Sequence, residues 1–205
     1  MMMNDILDKL DILIPNPQCE LNYNKDYELL IATMLSAQTT DKKVNEVTKI
    51  LWDKYDIYSL VNAKIEDLEN IIRPLGNHHK KTKYVIDIAK SLVNDYNGVV
   101  PNNREYIESL NGVGHKTCNI VLSNLFDIPA IAVDTHVTRV AKRLGLAKEN
   151  DNVLDIEKKL MKKIPKERWG RTHHQLVLFG RYVCKSQKPM CKDCLLKEYC
   201  NYYQK

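Results

Sequence analysis

Four cysteines near one end of the chain constrain it more than any other feature. They run Cys184-x6-Cys191-x2-Cys194-x5-Cys200. Residues Met1 to Pro17 carry Asp5, Asp8 and Asp11 among apolar residues, with no basic start followed by an apolar core. That is not the pattern of a secretory leader. No apolar run approaches the ~18 residues of a membrane span. A cytoplasmic setting is therefore expected, and there such a cysteine group serves metal binding rather than disulfides. Structural zinc usually pairs two short Cys-x2-4-Cys knuckles, and only one Cys-x2-Cys is present. Arms of six and five residues suit the separated corners of an iron–sulfur cubane better. The spacing favours the cluster and leaves zinc as the alternative. Cys19 and Cys118 read as small buried residues rather than ligands.

The 205 residues are 44% hydrophobic and 28% charged, which is globular composition and excludes whole-chain disorder. One large domain or two small ones are expected. The formal charge of +5 permits a nucleic-acid partner without demanding one. Its distribution is more informative. Arg73, Lys80, Lys81, Lys83 and Lys90 face only Asp87 in their segment. Arg181, Lys185, Lys188, Lys192, Lys197 and Lys205 face only Asp193 and Glu198. Lys185 and Lys188 lie on the arch between the first two cysteines, where ligation at both ends would hold them rigid for phosphate contact.

Helical periodicity dominates the rest, and Gly and Pro number seven each. Helices are expected over Tyr27–Gln38, from Thr40 or Asp41 with Val44, Val47 and Leu51 inward, and over Ile65–Ile72. Others are expected over Lys81–Tyr96, from Pro101–Asn103 to Leu110, and up to about Phe126. The last are expected from Asp134 or Thr135 to near Gly145, over Asp151–Ile164, and over Trp169–Val183. Ile128–Val133 reads as the one extended stretch. The fold class is all-α, with about ten helices and a cysteine-rich loop.

Two positions carry candidate chemistry. Gly112, Val113, Gly114, His115 and Lys116 lie between two expected helices. Both glycines permit positive φ and close backbone approach. Amides at the start of the second helix form a nest suited to a phosphate. Lys116 falls in that helix's first turn, an unfavourable place for a cation. A free lysine is neutral about once in a thousand molecules at pH 7.4. The helix dipole and partial burial are expected to favour the neutral, nucleophilic amine. The alternative is a surface lysine meeting phosphate. Asp134 stands where a helix begins, so it reads as an N-cap. A cap also fixes the carboxylate, which can then stabilise a developing positive charge or assist deprotonation. His136, His173 and His174 read as packed or hydrogen-bonded side chains.

Taken together, these features resemble the helix-hairpin-helix DNA glycosylase superfamily, most closely its endonuclease III branch. The matching segments are Glu28–Asp41, Gly112–Thr117, Ile131–Val140, His173-His174, Gly180–Cys184 and the 6-2-5 cysteine spacing. The resemblance covers nearly the whole chain. It implies a six-helix domain at about residues 16–127, with the helix-hairpin-helix. It implies a second lobe from residues 1–15 and 128–205, with a 4Fe–4S cluster on the four cysteines. Double-stranded DNA would lie in a groove between lobes, where Lys116 and Asp134 would meet. The implied enzyme is a monomeric DNA glycosylase and abasic-site lyase of base excision repair, acting on oxidised or ring-damaged pyrimidines. In that chemistry Lys116 attacks the sugar C1′, a Schiff base forms, and β-elimination cuts 3′ to the lesion.

Gln38 matches the residue that fills the gap left by a flipped base. A bulky apolar wedge normally follows the Gly76 position, but Asn77, His78 and His79 stand there, so an imidazole is expected to take that role. Asn111 replaces the usual hairpin proline, which is expected to loosen the turn slightly. An adenine-mismatch glycosylase shares the cysteine spacing, but usually lacks the lysine and extends further beyond the cysteines. A non-catalytic DNA-binding or redox protein would need neither Lys116 nor Asp134.

Overall fold

The structure is a computed structural model that describes residues 2–204. Among the described residues there are eleven α-helices, three short 3-10 turns and no β-strand. None of these helices is long and apolar enough to cross a membrane. Ile128–Val133 has no regular structure. The chain divides into two compact units: Cys19–Phe126, and Met1–Gln18 with Asp127–Lys205.

The first of these units is built around α2 (Asp26–Leu35), whose residues Tyr27 to Leu35 are all buried. A helix apolar on every side belongs at a domain centre. Glu28 is buried with it, because its Oε2 accepts from the amides of Asn24 (2.6 Å) and Lys25 (3.3 Å) at the helix entrance. Around α2 stand α3 (Asp41–Lys54), α4 (Ile57–Val61), α5 (Ile65–Ile72), α6 (His78–Tyr96), α7 (Arg104–Ser109) and α8 (His115–Phe126). Thr40 caps α3, and Val44, Val47 and Leu51 point inward. The sequence places the start of α6 at Lys81, but it begins at His78, one turn earlier. Asn77 takes a left-handed conformation there as the N-cap of α6, without a capping side-chain bond, directly after Gly76, which closes the Arg73–Leu75 turn. The three residues after Leu35, expected to be helical, form a turn in which Gln38 has φ +59°. The short α4 carries too few residues for its periodicity to be read.

In the other unit α1 (Met2–Leu13) packs against α11 (Trp169–Tyr182), and α11 against α9 (Thr135–Arg143). Ile6, Leu7 and Leu10 of α1 share a core with Val137 and Val140 of α9, Ile156 and Leu160 of α10 (Val153–Lys163), and Leu176 and Phe179 of α11. Asp11 accepts from Arg168, Arg171 and Gln175 at 2.8–3.0 Å, joining residues more than 150 apart in sequence. Gly180 allows α9 and α11 to meet closely. A Cβ there would lie 3.0 Å from His136 Cβ and 3.3 Å from its carbonyl oxygen.

Candidate functional site

The hairpin between α7 and α8 is fixed on both sides. Arg104 donates to Glu108 (2.8 Å) and Asn119 (2.9 Å), and His115 Nδ1 lies 3.1 Å from Glu108. Burial pulls the Glu108 carboxyl upward, but the hydrogen bonds from Arg104 and His115 prevail and hold it below its ordinary value. The two glycines are unlike each other. Gly112 has φ +81°, and a Cβ would lie 2.4 Å from the Tyr84 ring. Gly114 is not left-handed, and nothing lies within 4 Å of its missing Cβ. The expectation of positive φ therefore holds for Gly112 alone, and Gly114 leaves an open surface instead. Val113 is buried as the anchor. Asn111 donates to Asp87 (3.0 Å), so the residue standing for the proline ties the turn to α6.

Lys116 is in the first turn of α8 and is exposed, which corrects the expected partial burial. The side chains of its helix that face inward are Cys118, Asn119, Val121 and Leu122. Lys116, two residues before Cys118, points away from that face. Burial pushes the Cys118 thiol up to about 11, consistent with an inert packed residue.

Gln38 and Asn77 are both exposed and both left-handed, at φ +59° and +47°. Non-glycine residues reach this region at a cost and are held there by their surroundings. The holding group is Lys81, only 5% exposed. Its ammonium donates to the carbonyls of Ala37 (2.9 Å) and Leu75 (3.0 Å) and to Thr39 Oγ1 (3.3 Å). Thr39 also donates to Leu75 (2.9 Å). The structure thus brings together the turns of Gln38 and Asn77, residues 39 positions apart in the sequence. Lys81 is removed from the set of surface cations in which its sequence neighbours place it. His79 bonds Glu69 (2.7 Å), and the His78 and His79 rings stack with centroids 4.1 Å apart. His78 is half-buried, while Asn77 and His79 both face solvent.

In the other unit Asp134 is the N-cap of α9, accepting from the Val137 amide at 2.8 Å, and is half-buried. Burial lowers the pKa of His136 on the same turn, and the Asp134 charge opposes that only in part. Arg139 donates to the carbonyls of Gly180 (2.7 Å) and Cys184 (3.0 Å). Arg143 reaches Cys184 Sγ (3.3 Å) and the Lys185 carbonyl (2.8 Å), and covers the Tyr202 ring at 4.0 Å. One helix therefore carries Asp134 at its start and grips the cysteine loop from its side. These arginines were not singled out in the sequence. Their one-turn spacing beyond Asp134 is the signal that could have found them.

Cys184, Cys191, Cys194 and Cys200 form no disulfide and line one small pocket of about 20 Å³, with Leu144, Phe179 and Met190 among its walls. Burial raises the Cys194 thiol, and the three other sulfurs push the same way. Four thiolates cannot share such a place without a cationic group between them. A set of four cysteine sulfurs fits an iron–sulfur cluster, and it fits zinc as well. Lys185 and Lys188 are exposed on the arch, with Lys188 left-handed at φ +49°.

Comparisons with known proteins agree with these features. The profile of the HhH-GPD superfamily base excision DNA repair protein matches residues 31–166. Endonuclease III of Bacillus subtilis (strain 168) is 46% identical over 200 residues, 97% of this chain and 91% of the relative. A solved structure of a trapped endonuclease III–DNA covalent intermediate, an estranged-adenine complex, is 45% identical, with a TM-score of 0.94. It covers 100% of this chain and 98% of that one. A non-covalent endonuclease III–DNA complex is also 45% identical, with a TM-score of 0.95. It covers 99% of this chain and 95% of that one. Residue pattern, helical architecture and near-complete similarity converge, and the chain belongs to the endonuclease III family within the HhH-GPD superfamily of base excision DNA repair proteins.

Proposed function

We propose that this chain is a bifunctional DNA glycosylase and abasic-site lyase of base excision repair. One observation carries this reading: full-length similarity to a trapped protein–DNA covalent intermediate in a chain with an exposed primary amine beside the hairpin. The substrates are oxidised, ring-saturated or fragmented pyrimidines in double-stranded DNA, and abasic sites. The protein acts as a monomer, in the cytoplasm on nucleoid DNA. Two lobes do the work, one at about residues 16–127 and one from residues 1–15 and 128–205. The compact units of the fold support that division.

Lys116 is the nucleophile. Its neutral amine attacks C1′ of an extruded nucleotide, the N-glycosidic bond breaks, and the base leaves with the bonding pair and takes up a proton. The sugar ring opens as the Schiff base forms. Loss of a C2′ proton then expels the 3′ phosphate, and water releases the amine. Asp134 is the carboxylate partner. It is held by the Val137 amide, so it stabilises positive charge on the sugar without first having to be ordered. Gly112, Gly114 and His115 present the hairpin's backbone and open surface to a phosphate, and Val113 anchors it, its own amide donating to Leu110. Lys185 and Lys188 contact the DNA backbone. Gln38 fills the place of the extruded base, and the Asn77–His79 turn enters beside it. Cys184, Cys191, Cys194 and Cys200 hold a 4Fe–4S cluster. When bound, the cluster supplies four iron corners that pin the loop and its two lysines.

The test is borohydride trapping on a duplex containing an abasic site. Wild-type protein is expected to give a covalent adduct and Lys116→Ala none. An adduct of equal yield from Lys116→Ala would remove Lys116 from the mechanism. Asp134→Asn keeps a competent cap, so its expected loss of about 10²–10⁴ in excision rate reports the charge itself.

A further inference from the structure

We propose that Lys81 is a positioning residue that locks the Gln38 and Asn77 turns into one rigid DNA-entering edge. This rests on the reading that those turns enter the duplex. The observation is a buried ammonium whose partners are two carbonyls and one hydroxyl, all on the two turns it joins. An ammonium has three protons to donate, and the three acceptors use them. No carboxylate is among its partners, and burial lowers its pKa. Holding a charge there is costly.

Lys81 lies in line with Val85, Ile88 and Leu92 on the inward stripe of α6. An apolar side chain would satisfy the packing at that position. It would leave the Ala37 and Leu75 carbonyls without the ammonium, and the two turns joined by the single Thr39–Leu75 bond. The cation adds three bonds to that one and fixes both turns together. Gln38 lies one residue beyond Ala37 and Asn77 two beyond Leu75, so the clamp acts directly next to each left-handed residue. A side chain that replaces an extruded base must already be in place as the base leaves, because ordering it then would raise the barrier. Lys81 supplies that order in advance. It touches no reacting atom.

The prediction concerns substrate dependence rather than overall loss. Lys81→Met keeps the stem and removes the donors. Thr39→Val removes one acceptor and the Thr39–Leu75 bond, and leaves the cation. Single-turnover excision of a ring-saturated pyrimidine is measured in two duplexes, one with a purine opposite the lesion and one with no base opposite. With no opposing base there is no orphaned partner to fill against, so a prearranged edge contributes little. Lys81→Met is expected to lose about 10–100-fold on the paired duplex and at most about threefold on the other. Thr39→Val is expected to follow the same pattern at about 3–10-fold. It also guards against a folding defect in the first variant. Fluorescence of 2-aminopurine opposite the lesion should fall in both variants, independently of bond cleavage. Equal losses on both duplexes, or none on either, would overturn the proposal while leaving the glycosylase reading intact. Wild-type inactivity on both duplexes would overturn the glycosylase reading, and this proposal with it.

Discussion

The two units hold their candidate residues by different means. In Cys19–Phe126 the fixings are the chain's own side chains. Lys81 clamps two turns, Asn111 ties the hairpin to α6, and Arg104, Glu108, His115 and Asn119 join α7 to α8. In the other unit Arg139 and Arg143 grip main-chain oxygens from Gly180 to Ser186, but the four cysteines converge on a cavity rather than on one another. One unit is completed by its own side chains; the other is completed, on the proposed function, by a cofactor. Binding energy at a metal centre is folding energy for the segment that supplies the ligands. The stabilities of the two units should therefore separate when the cofactor is removed.

The largest expected effect tests that separation. Stripping iron with a chelator under reducing conditions should remove several kcal/mol from the cysteine-bearing unit. Amide hydrogen exchange in α9 and α11 should then rise about 10³-fold, against less than about tenfold in α2 and α6. An equal rise in both units would break the comparison. A smaller effect sharpens the self-sufficient side. Gly112→Ala meets both a left-handed backbone and the Tyr84 ring, and should cost about 2 kcal/mol. Gly114→Ala meets neither, and should stay within about 0.5 kcal/mol while weakening DNA binding. Denaturant midpoints and a binding isotherm measure the pair. Similar stability losses would contradict the different roles assigned to the two glycines.

The smallest effect concerns Asp11. Burial acts to raise its pKa, but the bonds from Gln175, Arg171 and Arg168 outweigh that and lower it. A carboxyl lowered in the folded state contributes stability above its unfolded value near ~3.9, and loses it as pH falls through the folded value. The side chain is one-third exposed, so solvent screens much of this. Asp11→Asn should cost about 1 kcal/mol at neutral pH and flatten the loss of stability below about pH 4. An unchanged acid limb in thermal melts would show that these bonds add nothing.

The all-α class, most helix boundaries and the convergence of the four cysteines were legible in the sequence, because periodicity, caps and spacing are local. Thr40 and Asp134 sit at their helix starts as cap chemistry predicts. Two of the errors share a physical origin. Lys81 counts as a surface cation from composition, and only the folded chain brings Ala37 and Leu75 within reach of its ammonium. Gly114 resembles Gly112 in sequence, and the difference lies in Tyr84, a residue of α6. Both misses involve a partner distant in sequence, which no local pattern encodes. Lys116, expected to be partly buried, instead occupies the solvent-facing side of its helix.

The discontinuous unit has a consequence for synthesis. The chain leaves the ribosome from its N-terminus, so α1 emerges first, and its partner helix α11 only after the whole of Cys19–Phe126 has been made. From Asp127 to Tyr182 about 56 further residues must follow. At ~5–20 residues per second this takes roughly 3–11 s, longer than a small helical unit needs to fold. During that interval Ile6, Leu7 and Leu10 have no core to enter. This helix is thus made well before it can be buried, and the nascent chain carries a sticky apolar stripe that chaperones or its own neighbour on a polysome can reach.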